Sequence, residues 1–424
     1  MRGEHQNTTA LQRPQGALGE LQPPGPRQVG QHRTRPYEIV GPVEPDSTQL
    51  RSGIDRRGSE RGGTKVDSVT IHITSRQLRV GERRLQHPQD ATVTAREIED
   101  ALDRFMAGGE QGEANQPQRR SADRDVVVLV VEHSVLGRPA LEADLDTLLN
   151  WAASHSEPLS ILGEAGLQLP GFDALAARTC AALGPHGPGV AWLRGFPAAP
   201  AAAKLAYLAL GWRLGEPLDN YGHLYDVRDE GGSYLDKPIP VSQTRYTTSF
   251  HTDSARRETL PIFVGLLCLQ DATGGDNQVA SAALVHERMC SEAPELLEHL
   301  YRDYVRDIVT PGTERTHAAL LANRFPVFQE RDGGGAITLR YMRYWIEKGA
   351  ERAGTSLERG DIEAMDWLDT AFADETVYSR LHLEPGDILF VDNRDIAHNR
   401  TPYEDLPGKR RLLVRLWLKA PPTA

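Results

Sequence analysis

Two polar patterns in this 424-residue chain could do chemistry together. The first is His251, Thr252 and Asp253, at the end of the β-prone run Thr244 to Phe250. On an extended strand residues i and i+2 project to one face, so the tripeptide presents an imidazole beside a carboxylate. The second is His398, reached through the stretch that begins at Leu383. There Pro385 and Gly386 mark a turn, Ile388 to Val391 read as a buried strand, and Asp392 to Asp395 form a polar loop that delivers the histidine. Two histidines and one carboxylate on one side of a metal leave coordination positions open, the arrangement associated with Fe(II) oxygenases.

The His-x-acid pair is a weak signal alone. With 14 histidines and 59 acidic residues in 424 positions, about two such matches arise by chance, and the chain has three. The others are His155 with Glu157, and His382 with Glu384, which lies too close to His398 to come from an opposing strand and has Glu384 at the turn itself. His251 and Asp253 could also be a surface hydrogen-bonded pair, with His398 a capped loop histidine.

A third element favours the metal reading. From Arg410 to Leu418 the residues alternate, with Arg411, Leu413, Arg415 and Trp417 on one face and Leu412, Val414, Leu416 and Leu418 on the other. The apolar face must enter a packed core, so the arginine face lines solvent or a polar cavity. A buried guanidinium needs an anionic partner, and its planar fork suits a carboxylate.

His251, Asp253, the turn Gly274, Gly275 and Asp276, the segment Pro385 to Phe390, His398, and Arg411 thirteen residues later together resemble a known family. It is the taurine dioxygenase (TauD/TfdA-like) and clavaminate synthase-like branch of the 2-oxoglutarate oxygenases, over about residues 165 to 424. The resemblance implies a double-stranded β-helix (jelly-roll) core with Fe(II), and with 2-oxoglutarate and O2 as co-substrates. It implies His251, Asp253 and His398 as metal ligands, Arg411 as the co-substrate anchor, and Arg415 near the substrate. Where the family often has a threonine after Gly-Gly-Asp, this chain has Asn277 and then Gln278; an amide can donate the same hydrogen bond, and Asn277 is the first candidate. Halogenating relatives replace the carboxylate with a small residue, so Asp253 favours oxygenation.

The expected activity is hydroxylation at an aliphatic C–H of a small metabolite, with desaturation or cyclisation as the alternatives. It is coupled to decarboxylation of 2-oxoglutarate to succinate and CO2. Spare arginines, Arg245 and Arg340 among them, suggest a carboxylate-bearing or amino-acid-derived substrate, although Arg340 also fits an exposed edge strand and the Arg411 strand a charged outer face. Two other classes stay open at this point, a non-catalytic β-helix binding or scaffold protein and a metal-dependent hydrolase.

The elements that must position these groups follow from patterning. Residues 1–63, rich in Pro, Gly, Gln and Arg, read as a disordered tail. Residues 64–157 read as a small α/β module in the order ββαβα. It has alternating Val69, Ile71 and Ile73, a helix after the Thr94/Glu97 capping signature, a strand at Val126 to Val131, and a helix marked by Leu141, Leu145, Leu148 and Leu149. From 165 to 424 the expected class is α+β, mainly β, with a helix capped by Asp173, a helix over Ala201 to Leu214, and strands at Gly189 to Leu193, Val241 to Asp253, Ile262 to Leu269, Ala336 to Tyr341 and Asp387 to Asp392.

The net charge of -11 argues against nucleic acid as a partner, since phosphate neutralisation needs a surplus of Lys and Arg. No apolar run approaches the roughly 20 residues that span a bilayer, and the start lacks a signal-peptide core, so the expected location is the cytoplasm, with no membrane partner. Cys180, Cys268 and Cys290 are far apart and suggest reduced thiols rather than a disulfide framework or a thiolate metal site. A homo-oligomer is left open.

Overall fold

A computed structural model describes residues 138–219, 222–234, 239–308, 314–331 and 336–419, together with short strands at Arg79–Val80, Arg83–Arg84 and Leu129–Glu132. The expected tail over 1–63 and the expected helix after Thr94 lie outside the described residues.

Strand β1 (Leu129–Glu132) is followed by helix α1 (Arg138–Ala153) and helix α2 (Pro170–Leu183). Proline at the first helical position lacks an N–H that would have no partner there, so Pro170 opens α2. Asp173, expected as the N-cap, instead lies inside the first turn, and its carboxylate accepts from Arg213 Nε at 2.6 Å. Next come β2 (Val190–Arg194), α3 (Pro200–Leu214), β3 (Tyr225–Val227), β4 (Phe263–Gln270) and β5 (Asn277–Ser281). Helices α4 (Ala282–Glu292), α5 (Pro294–Leu300), α6 (Arg343–Ala353) and α7 (Arg359–Ala373) precede β6 (Tyr378–Leu381), β7 (Ile388–Asp392), β8 (Ile396–Arg400) and β9 (Leu412–Leu418). Helices account for more of the described residues than strands, so the "mainly β" expectation is corrected to α+β with extensive helical cover. No helix among the described residues is long and apolar enough to cross a membrane.

A six-stranded sheet runs in the order β1-β2-β7-β4-β9-β3, with β1 parallel to β2 and the other neighbours antiparallel. A three-stranded antiparallel sheet runs β6-β5-β8. The two share an apolar layer in which Val264, Leu389 and Leu413 of the large sheet meet Val279, Leu381 and Ile396 of the small one. Residues an odd number of steps along the same strands, Leu267, Phe390, Val414 and Leu416, join the opposite layer with Leu148 of α1, Leu175 of α2 and Leu208 of α3. Period-two alternation thus supplies both faces of the large sheet. Outside the small sheet, Ala280 and Ala397 pack with Val285, Leu297, Ile346 and Leu368 from α4 to α7.

This packing bears on residues 129–153, which the sequence suggests are part of a separate module. Strand β1 extends the large sheet beside β2, and Leu141 and Leu148 of α1 are buried in the same cluster as Leu175 and Leu208. Burying each such leucine contributes roughly 1.5–3 kcal/mol. The α1 stripe finds its apolar partner there.

The expected strand over Val241 to Asp253 is not regular. Val241–Gln243 is a 3-10 turn, and Ser249 has a positive φ of 56° that breaks any continuous pleat. What remains is one antiparallel bridge, in which His251 N–H donates to the His398 carbonyl at 2.9 Å and His398 N–H donates back at 2.8 Å.

Candidate active site

The bridge between residues 251 and 398 sets two imidazoles side by side, with ring centroids 4.4 Å apart. His251 Nδ1 lies 2.9 Å from the Ser249 carbonyl, which can only accept, so Nδ1 carries the proton and Nε2 presents its lone pair. Asp253 Oδ1 sits 3.6 Å from that Nε2 and 3.7 Å from His398 Nε2. One ligand atom from each residue lies within 4.8 Å of the others, a spacing that could hold a metal ion. All three residues line one cavity between the sheets.

Asp253 is held from several directions. Its Oδ2 accepts from Trp417 Nε1 at 2.6 Å and from Arg415 Nη1 at 3.4 Å, which leaves Oδ1 turned toward the imidazoles. Its backbone N–H donates to Asn393 Oδ1 at 2.7 Å, and Asn393 Nδ2 donates to the carbonyls of Asp253 and Pro261, each at 3.1 Å. Burial alone would push the Asp253 carboxyl up, but the neighbouring Arg415 charge outweighs it and holds the group well below the usual carboxylate range. Burial, reinforced by His251, lowers the His398 pKa. The site therefore presents a carboxylate anion and a neutral His398, the states that donate to metals.

On another side of the cavity Arg411, 3% exposed, donates through Nη2 to the Gly275 carbonyl at 3.1 Å. Gly275 has φ 71°, and a Cβ there would meet Arg411 Nε at 2.8 Å, so the Gly274-Gly275 turn lets the backbone pass under the guanidinium. Arg411 Nη1 and Asn277 Nδ2 are buried without a hydrogen-bond partner. Both residues line the cavity. Gln278 is directed elsewhere, its Oε1 accepting from Asn399 Nδ2 at 2.7 Å.

Arg415 also lines the cavity, stacked between Tyr225 and Trp417 at 4.9 and 4.3 Å from the ring centroids. The structure does not bring Arg245 or Arg340 there. Arg245 is largely exposed and lies 3.9 Å from Asp229. Arg340 is buried over the Phe325 ring and donates to the carbonyls of Arg256 and Arg257, bracing the chain just after Asp253. His382 pairs with Asp276 at 2.7 Å on the surface, and His155 caps the end of α1 through the Trp151 carbonyl.

Sequence reasoning assigned no role to Asn393 or Arg400, and none to Trp417 beyond its face. Trp417 shares a strand face with Arg415, and Arg400 follows His398 by two, so alternation could have flagged both. Nothing local marks Asn393.

The family model for "Taurine catabolism dioxygenase TauD, TfdA family" matches residues 155–417. FR-33289 synthase of Streptomyces rubellomurinus (strain ATCC 31215) is 30% identical over 252 residues, spanning 55% of this chain and 69% of that protein. A uridine-5'-phosphate dioxygenase of Amycolatopsis sp is 30% identical over 239 residues, 53% of this chain and 82% of that protein. In fold, the chain is similar to asparagine oxygenase in complex with Fe(II), 2S,3S-3-hydroxyasparagine and succinate, with TM-score 0.52, 19% identity, and coverage of 69% of this chain and 93% of the other. It is also similar to the non-heme iron oxygenase OrfP in complex with Fe and alpha-ketoglutaric acid, with TM-score 0.51, 16% identity, and coverage of 69% and 94%.

Proposed function

The chain belongs to the taurine catabolism dioxygenase TauD, TfdA family and is an Fe(II)- and 2-oxoglutarate-dependent oxygenase of small metabolites; from that premise we propose which of its residues do the work. His251, Asp253 and His398 hold the iron, and Arg411 with Asn277 holds the far carboxylate of 2-oxoglutarate. The observation that carries this reading is the coincidence, in one cavity, of three ligand atoms within 4.8 Å and two orphaned buried donors. An uncompensated buried donor is expensive unless a ligand completes it, and a carboxylate accepts from both a guanidinium and an amide. The two sheets with the cavity between them are the two halves of a double-stranded β-helix.

When bound, the iron couples oxidative decarboxylation of 2-oxoglutarate to oxidation of a substrate C–H bond. The chain's own contribution is to position and to exclude water. Asn393 and Trp417 orient Asp253, the Ser249 carbonyl orients His251, and Arg415 keeps Asp253 ionised. Hydroxylation of an aliphatic carbon is the outcome proposed. The substrate is a small polar metabolite, amino-acid-derived or bearing an acidic group. The Ser242 hydroxyl on the cavity wall offers it a polar contact, and relatives named for a nucleotide and for asparagine support that class.

The test is an anaerobic titration of purified protein with Fe(II) and 2-oxoglutarate, followed by oxygen. A visible charge-transfer band and then succinate are expected. With Asp253→Ala the band should be lost while 2-oxoglutarate still shifts the melting temperature; a band of unchanged strength would remove Asp253 from the ligand set.

A further inference from the structure

Three arginines among the described residues line the cavity, and with Arg411 at the co-substrate site and Arg415 beside Asp253, Arg400 is left without a role. It is 6% exposed, yet lines the cavity. It follows His398 by two residues on β8, and in the small sheet it pairs in register with Asn277. Its Nη2 donates to the Tyr246 carbonyl, and its Nε is buried without a partner. Arg400 and Arg411 stack on the same aromatic ring, with guanidinium carbons 5.1 and 4.8 Å from the centroid of Tyr403.

Among the described residues neither guanidinium makes an ion pair with a carboxylate. The nearby Asp405 side chain is engaged elsewhere, accepting from the Arg411 backbone N–H at 2.8 Å. Two buried like charges around one ring, with no carboxylate in ion-pair contact, repel one another and lack the solvation each would have in water. The fold tolerates such an arrangement when an anion arrives to complete it. Arg400, Arg411 and Asn277 each hold an unsatisfied buried N–H, and a carboxylate offers about four acceptor sites. A single guanidinium and amide leave some of those sites open.

We propose that Arg400 is a second co-substrate arginine, which joins Arg411 and Asn277 at the far carboxylate of 2-oxoglutarate and makes the site selective for dianionic 2-oxo acids. The inference rests on the iron and co-substrate reading above. It adds a specificity residue to it. A 2-oxo acid with a neutral tail would leave two buried cations facing each other, so discrimination against it comes mainly from the penalty on the wrong ligand.

The experiment is anaerobic titration of the Fe(II)-loaded full chain with 2-oxoglutarate and with 2-oxopentanoate, followed by the visible charge-transfer band. Arg400→Gln should weaken 2-oxoglutarate by about 10- to 100-fold, as expected for one buried charge-assisted hydrogen bond. It should leave 2-oxopentanoate nearly unchanged, so that the preference between the two collapses, and Fe(II) affinity without co-substrate should stay the same. Arg400→Lys keeps the charge without the fork and should lie between wild type and Arg400→Gln; it also carries the test if the glutamine variant folds poorly. A 2-oxoglutarate affinity within twofold of wild type in both variants overturns the inference, as does an equal loss for the two 2-oxo acids. Absence of the band from wild-type protein overturns the iron-site reading and this inference with it, so the two failures are distinguishable.

Discussion

Trp417 and Asp253, 164 residues apart in sequence, are joined by a 2.6 Å hydrogen bond from the indole Nε1 to carboxylate Oδ2. The bond occupies the oxygen that faces away from the imidazoles. Outer partners of this kind orient a ligand and tune its basicity, and losing one typically lowers metal affinity about 10- to 100-fold. Trp417→Phe keeps most of the buried ring and removes the donor. Its Fe(II) affinity, measured by anaerobic equilibrium dialysis, should fall within that range while the melting temperature changes little. An unchanged affinity would mean that Arg415 alone orients Asp253.

Gly275 tests the co-substrate side separately. A methyl group there meets Arg411 Nε at 2.8 Å on a backbone whose φ of 71° already disfavours a side chain by roughly 1–2 kcal/mol. Gly275→Ala should displace the guanidinium, weaken 2-oxoglutarate by about tenfold or more and spare Fe(II). If iron and co-substrate affinities fall together, the turn supports the whole cavity and not the arginine in particular.

Asn393 is fully buried and makes three hydrogen bonds, to the backbone N–H and carbonyl of Asp253 and to the Pro261 carbonyl. Asn393→Ala strands those groups without water. The loss should be about 2–4 kcal/mol in a denaturant titration of the metal-free protein, since an unsatisfied buried polar group costs roughly 1–3 kcal/mol. Less than about 1 kcal/mol would show that the loop after Asp253 relaxes to solvent.

Asp395, in the turn before His398, supplies a pH dependence. Burial first, and then the charge of Asp392, pushes its carboxyl up to about 6, against the pull of Arg331 and Arg394. The folded state therefore holds this proton more tightly than the unfolded chain, whose value is near 3.9. Stability from this group is fully present below about pH 4 and is lost as pH rises through about 6. Relative to Asp395→Asn, wild-type protein should lose about 1–2 kcal/mol across that window, allowing for partial exposure. Parallel stability profiles for the two proteins would show that Arg331 compensates the charge.

Much of this site was legible because it rests on periodicity. The alternation from Arg411 to Trp417 depends only on the two-residue repeat of a strand, and the structure turns Arg411, Leu413, Arg415 and Trp417 to the cavity together. What failed depends on partners distant in sequence. Ser249, with its positive φ, carries no residue type that announces a kink, so Val241 to Asp253 looked like a plain strand. Arg340 fits either a pocket border or an exposed edge strand in the sequence, whereas the Phe325 ring and two carbonyls bury it away from both. The α1 stripe is visible in sequence, whereas the α2 and α3 surfaces that cover it are not. Asn393 is one polar residue in a polar loop, and only the fold shows that both ends of its amide are used.

The mutual main-chain bonds between His251 and His398 have a consequence for how the protein meets its metal. The separation of the two histidine backbones is set by peptide groups and not by an ion, so emptying the proposed site leaves both main chains in register. Two imidazoles and one carboxylate on such a frame would offer donors to several divalent first-row ions, whose affinities follow the common order that places copper and nickel above iron. Iron loading of the proposed site would then depend on which ion is supplied, with nickel and copper as its competitors.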